Sequence, residues 1–113
     1  MNNYQYCLSE AKNYSDRNAY ISDLALSSIW GDDEDGIIPT TRLEWLGDLY
    51  DAAHRSVKEI ASAAGLSQRK LAERFAIPYR TMDSWCMGER TCPIYVKMMM
   101  QEILGLWQQQ LKT

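Results

Sequence analysis

Between Gly65 and Pro93 the chain is interrupted, about every ten residues, by side chains that stop or start helices, and this punctuation restricts the possible folds more than any other feature. Gly65 closes one apolar-periodic stretch. Ser67, whose hydroxyl can accept from a free backbone N–H, opens the next. Leu71, Ala72 and Phe75 then recur at helical spacing over about two turns. Ile77-Pro78 breaks that pattern, because proline disfavours helical geometry in the residue before it while suiting the first turn of a new helix. The new helix is expected from Pro78 to about Met87, with Met82 and Trp85 on its core side and Gly88 as its stop. Pro93 opens a final helix whose apolar side carries Ile94, Val96, Met99/Met100, Ile103/Leu104 and Trp107, fraying through Gln108 to Gln110.

Upstream, Thr41-Arg42-Leu43-Glu44 has the form of a capping box, and Pro39 before it ends a loop. Leu43, Leu46, Leu49/Tyr50, Ala53, Val57, Ile60/Ala61 and Ala64 form one stripe, which predicts a single helix of about 23 residues, weakened in its middle by Gly47 and Ser56. A shorter helix is expected from Asn18 to near Trp30, stopped by Gly31, whereas Met1 to Ser15 has only weak helical periodicity. Asp32-Asp33-Glu34-Asp35-Gly36 reads as a solvated loop, since adjacent carboxylates repel one another. It lacks the alternating ligands and closing glutamate of a calcium loop. The expectation is therefore an all-α, compact helical bundle over residues 39–113, preceded by a short acidic helical extension over residues 1–38.

A chain of 113 residues has room for one modest domain core. It holds no apolar run of the roughly 18 to 20 residues that span a bilayer, and its polar start has no apolar signal core, so a cytoplasmic protein without membrane contact is expected. Cys7, Cys86 and Cys92 show no metal-pair spacing and are read as reduced thiols. Met98 to Met100 are read as core filler and His54 as a boundary residue, with no metal and no cofactor expected. No paired acidic-lysine motif at a workable spacing points to catalysis, so the chain is expected not to be an enzyme.

Net charge is −3, which argues against nucleic acid only until its distribution is considered. Residues 1–53 carry three basic and ten acidic side chains, whereas residues 54–113 carry nine basic and five acidic. Affinity for phosphates depends on where the cations sit, so the second half is electrostatically competent to bind DNA. Two short helices joined by a turn too tight for antiparallel packing must cross steeply, which pushes the second one outward, where its side chains can enter a major groove.

The stretch Gly65 to Pro93, with its Leu71-Ala72-Glu73, Met82-x-x-Trp85 and Gly88-x-Arg90-x-x-Pro93, resembles the lambda-repressor-like (Cro/C1, XRE-type) helix-turn-helix family. The resemblance implies a dimeric DNA-binding regulator of transcription, a repressor, possessed of a recognition helix at 78–87. By that resemblance Tyr79, Arg80, Thr81 and Ser84 read bases, while Gln68, Arg69, Lys70 and Arg90 contact phosphates. Chemically, Arg80 suits a bidentate pair with guanine, and Gln68 at the start of its helix suits a phosphate oxygen. Asp83 and Cys86 depart from the family's pattern, and Asp83 repels phosphate unless it accepts from a cytosine amino group. The final helix, with Trp107 and Leu111, and the N-terminal helix are both candidates for the homodimer surface. A second reading stays open: an antitoxin-like or other interaction module whose acidic half, with Tyr4, Tyr6, Tyr14 and Tyr20 exposed, holds a protein partner.

Overall fold

The weakly periodic N-terminus is helical because it is capped at its start. In the computed structural model, which describes residues 2–110, Asn2 Oδ1 accepts from the Gln5 backbone N–H at 2.8 Å while Gln5 Oε1 accepts from the Asn2 N–H at 3.0 Å. These reciprocal bonds start α1, Asn3–Ala11. Asp16 caps α2, Arg17–Ala25, which ends earlier than expected. Ser27 then caps a separate 3-10 turn, Ser28–Trp30, and Gly31 at φ 76° closes it. Only glycine adopts that left-handed geometry at little cost.

Two expectations about the central helix are corrected. α3, Thr40–His54, starts one residue before the Thr41 cap site, and the Pro39 carbonyl accepts from the Arg42 N–H at 3.0 Å. Thr41 therefore lies inside the first turn, and the capping box with Glu44 does not start this helix. Nor does the helix continue to Gly65. Ser56 is extended, with φ −76° and ψ 163°, and its hydroxyl accepts from the Glu59 N–H while Glu59 returns a carboxylate oxygen to the Ser56 N–H. A true capping box thus opens α4, Val57–Ala63. The apolar stripe survived this break in the sequence because a helix end preserves spacing without preserving direction.

Ser67 caps α5, Gln68–Arg74, as expected, accepting from the Lys70 N–H at 3.1 Å. α6 spans Tyr79–Met87 after Pro78, and Gly88 at φ 78° ends it. α7, Ile94–Ile103, follows Pro93. It is shorter than expected: Gly105 at φ 76° turns the chain, with the Leu106 N–H donating to the Gln101 carbonyl at 2.8 Å, so Trp107 lies beyond the helix. The described residues contain seven α-helices and no strand, so the chain is all-α. No helix among them is long and apolar enough to cross a membrane.

The described residues divide into two compact units: 2–54 joined by 108–110, and Arg55–Trp107. Trp107, expected at a homodimer surface, is only 4 % exposed, and Leu111, the other residue expected there, lies outside the described residues. The boundary expected near residue 38 falls inside the first unit, where α1 and α2 pack on α3. That unit buries Cys7, Leu8, Tyr20, Leu24, Leu46 and Leu49. Tyr20, expected to be exposed, is fully buried and donates its hydroxyl to the Cys7 carbonyl at 2.7 Å. Its ring lies 5.1 Å from that of Tyr50 and 5.5 Å from that of Tyr14. Gly47, read as a weak point, is where α2 crosses α3: a Cβ there would run into the Arg17 guanidinium. Arg17 in turn binds Asp51 through two nitrogens, at 2.9 and 3.2 Å.

The acidic segment is not wholly solvated. Arg42, whose side chain is only 8 % exposed, pairs with Asp33 at 2.6 Å, donates to the Ala25 carbonyl at 3.0 Å and lies 4.8 Å from the Trp30 ring. Buried guanidinium is tolerated only when paired and hydrogen-bonded, and one carboxylate of the run is drawn in to satisfy it. The guanidinium holds Asp33 below the usual carboxylate range.

In the second unit Val57, Ile60 and Ala61 of α4, Leu71 and Ala72 of α5, Met82 of α6, and Cys92 and Met100 form one core. Phe75, Ile77, Trp85 and Leu104 are partly buried against it. Trp85, expected in the core, is therefore at its edge.

Candidate nucleic-acid interface

α5 and α6 are joined by only four residues, Phe75 to Pro78, and pack directly on each other. Ala76 takes the left-handed conformation, φ 54°, at a cost of roughly 1–2 kcal/mol for a residue with a Cβ. The Ile77 N–H donates to the Ala72 carbonyl at 2.9 Å, and buried Leu71, Ala72 and Met82 hold the two helices together. The first turn of α6 emerges from this anchored turn.

On that first turn Tyr79 is 41 % exposed and Arg80 is exposed, while Thr81 and Ser84 are half-buried. α5 braces the turn from one side. The Arg69 guanidinium lies 4.3 Å from the Tyr79 ring centroid, a cation–π contact that orients the ring while leaving the cation near the surface. Gln68 Nε2 donates to Asp83 Oδ1 at 2.9 Å and, more weakly, to the Tyr79 hydroxyl at 3.4 Å. Four side chains from the two helices thus form one connected cluster.

Of the eight residues singled out from the sequence, Gln68, Arg69 and Tyr79 are brought into direct contact. Arg80 shares the first turn of α6 with Tyr79. Lys70 pairs instead with Glu73 at 3.4 Å along its own helix, an exposed contact of little energetic weight. Arg90 is exposed just after α6, where its backbone N–H and that of Glu89 donate to the Ser84 carbonyl at 3.3 and 3.0 Å and finish the helix end. Gln68 differs from expectation in orientation: its amide hydrogens face α6, so only its carbonyl oxygen is left over. The partner it serves, Asp83, was visible in the sequence only as an unwelcome charge. A bond between residues fifteen apart leaves no local signature.

The unit that carries this cluster, Arg55–Trp107, has eight basic against five acidic side chains. Among the described residues no group of three or more His, Cys, Asp or Glu is placed to hold a metal ion. No family model matches the chain, and neither the curated proteins nor the solved structures contain a significant match.

Proposed function

We propose that this chain is a sequence-specific regulator of transcription that binds double-stranded DNA as a homodimer and acts as a repressor. The observation that carries this reading is the first turn of α6, which offers Tyr79 and Arg80 to solvent while α5 braces it through Arg69 and Gln68. In a major groove Arg80 reads guanine through two hydrogen bonds, and Tyr79, Thr81 and Ser84 add polar and apolar contacts to base edges. Arg69, Lys70 and Arg90 hold phosphates on either side, with Gln68 contributing there if its amide turns from Asp83. The Asp83 carboxylate keeps its charge while it accepts from the neutral Gln68 amide, so that bond braces the turn and does not remove a repellent. One such unit makes few base contacts, and two copies on paired half-sites multiply the affinity.

The test is selection of bound sequences from a random DNA pool by the full chain. A single enriched motif, bound with steep salt dependence, is expected. Arg80→Ala should lose selectivity, whereas Arg69→Ala should weaken binding to every sequence and flatten the salt slope by about one unit. An unenriched pool together with salt-insensitive binding overturns the reading.

A second reading, an antitoxin-like module, draws on the first unit. Leu26 and Ile37, 73 % and 69 % exposed, flank the acidic run, a combination suited to a basic protein partner. Copurification of such a partner with the chain, lost in Leu26→Asp and Ile37→Asp, is its test.

A further inference from the structure

A tyrosine that keeps 41 % of its surface open at the start of a helix has room to swing, yet Tyr79 is held at two points. The Arg69 guanidinium lies 4.3 Å from the ring centroid and covers one face. At the tip of the ring the Gln68 amide, itself fixed on Asp83 at 2.9 Å, donates weakly to the hydroxyl at 3.4 Å. Among the described residues Arg69 has no carboxylate partner, so the ring is where its planar group rests. With one face beneath a cation and the hydroxyl beside an amide, what Tyr79 leaves open is mainly ring carbon.

We infer that Arg69 is a positioning residue for Tyr79, and that the ring it holds reads the C5-methyl group of a pyrimidine in the major groove. The inference rests on the regulator reading, and it adds a second task for Arg69 and a chemical identity for what Tyr79 meets. In a duplex the base faces are covered by their neighbours, so a ring entering the groove meets only base edges. Those edges carry nitrogen and oxygen donors and acceptors, and one apolar substituent, the C5-methyl of thymine. 5-Methylcytosine presents the same group at the same place. A ring fixed in advance gains this contact without the cost of being ordered on binding. Arginine suits the holding and lysine does not, because a flat guanidinium lies on a ring while an ammonium is a compact, hydrated charge. Arg80, exposed on the same turn, is left to the polar edge of a guanine, so two consecutive residues divide polar from apolar reading.

The test uses the full chain and duplexes of the motif it enriches, with each thymine replaced in turn by uracil, which removes the methyl and nothing else. Burying one such group changes affinity by about fourfold, so one thymine in each half-site should show that loss. Cytosine and 5-methylcytosine at the same place form a second arm: a gain on methylation means that either source of the methyl serves, and equal binding means that thymine alone does. Tyr79→Ala should erase the uracil loss, and Tyr79→Phe, which keeps the ring, should retain it. Arg69→Lys should cut the loss below about twofold while the salt slope stays that of the wild type, because the charge is kept. Both side chains lie at the surface, and circular dichroism of each variant should show the fold retained. A loss that survives Tyr79→Ala, a full loss in Arg69→Lys, or a motif indifferent to every uracil overturns the inference and leaves the regulator reading standing. A chain that enriches no motif removes both.

Discussion

Removing the Asp83 carboxylate separates two roles that its position on α6 would otherwise confuse, a brace for the exposed turn and a repellent for phosphate. The bond from Gln68 is 2.9 Å long and partly buried. Hydrogen bonds to charged groups contribute about 1.5–3 kcal/mol, and partial exposure places this one at the low end. Asp83→Ala should therefore destabilise the chain by about 1.5 kcal/mol, and Gln68→Ala by slightly less, because water can still reach the remaining carboxylate. The double variant should recover about 1 kcal/mol of the summed loss as coupling. As a repellent the carboxylate is weak: at about 10 Å in water two unit charges interact by roughly 0.4 kcal/mol, before screening over a Debye length of about 8 Å. Asp83→Asn, which keeps an acceptor and drops the charge, should alter DNA affinity by no more than about twofold. Urea unfolding of the four proteins, followed by circular dichroism, gives the coupling, and titration of the selected DNA gives the affinities. Coupling below about 0.3 kcal/mol, within the scatter of independent sites, would refute the brace. A tenfold gain in affinity for Asp83→Asn would refute the screening argument.

Three further outcomes follow from the helix ends, the ion pair and the thiols. Ser56→Ala removes the cap that separates α3 from α4 and should lower stability by about 1 kcal/mol, read as a shift in the urea midpoint; an unchanged midpoint would mean that the break does not depend on the serine. Asp33 is held below its usual range by Arg42, and Glu59 by the hydrogen bonds from Ser56, so both bind protons more readily in the unfolded chain. Their contribution is complete above the ordinary carboxylate range near pH 4 and is lost as pH falls through the lower folded values; a urea midpoint that does not drop on acidification below that range would contradict both contacts. Burial pushes the Cys7 thiol up to about 12 and the Cys92 thiol to about 11, whereas Cys86 is raised less and is partly exposed, so a thiol reagent at neutral pH should modify Cys86 first, with mass spectrometry of the labelled chain as the check.

Legibility in the sequence followed the range of the interaction. Ser67, Pro78, Gly88 and Pro93 act on the backbone within a residue or two of themselves, and each starts or stops a helix where it was expected to. The same kind of signal stands at Ser56-Val57-Lys58-Glu59, where the apolar stripe runs through it unbroken and hides it. At Asn2 it was masked by low hydrophobicity, since a reciprocal cap does not need apolar neighbours. The residues of the candidate interface were legible by type and position, but their partnerships were not.

What the chain settles on its own is the set of short helices and the placement of acidic residues before, and basic residues after, its middle, because capping, proline geometry and charge are local properties. Tertiary structure decided the rest: that Arg42 draws Asp33 out of the acidic run, that Gln68 turns toward Asp83 rather than solvent, and that Arg69 lies over the Tyr79 ring. Each of these depends on which helix lies beside which, and spacing along one segment carries no record of its neighbour.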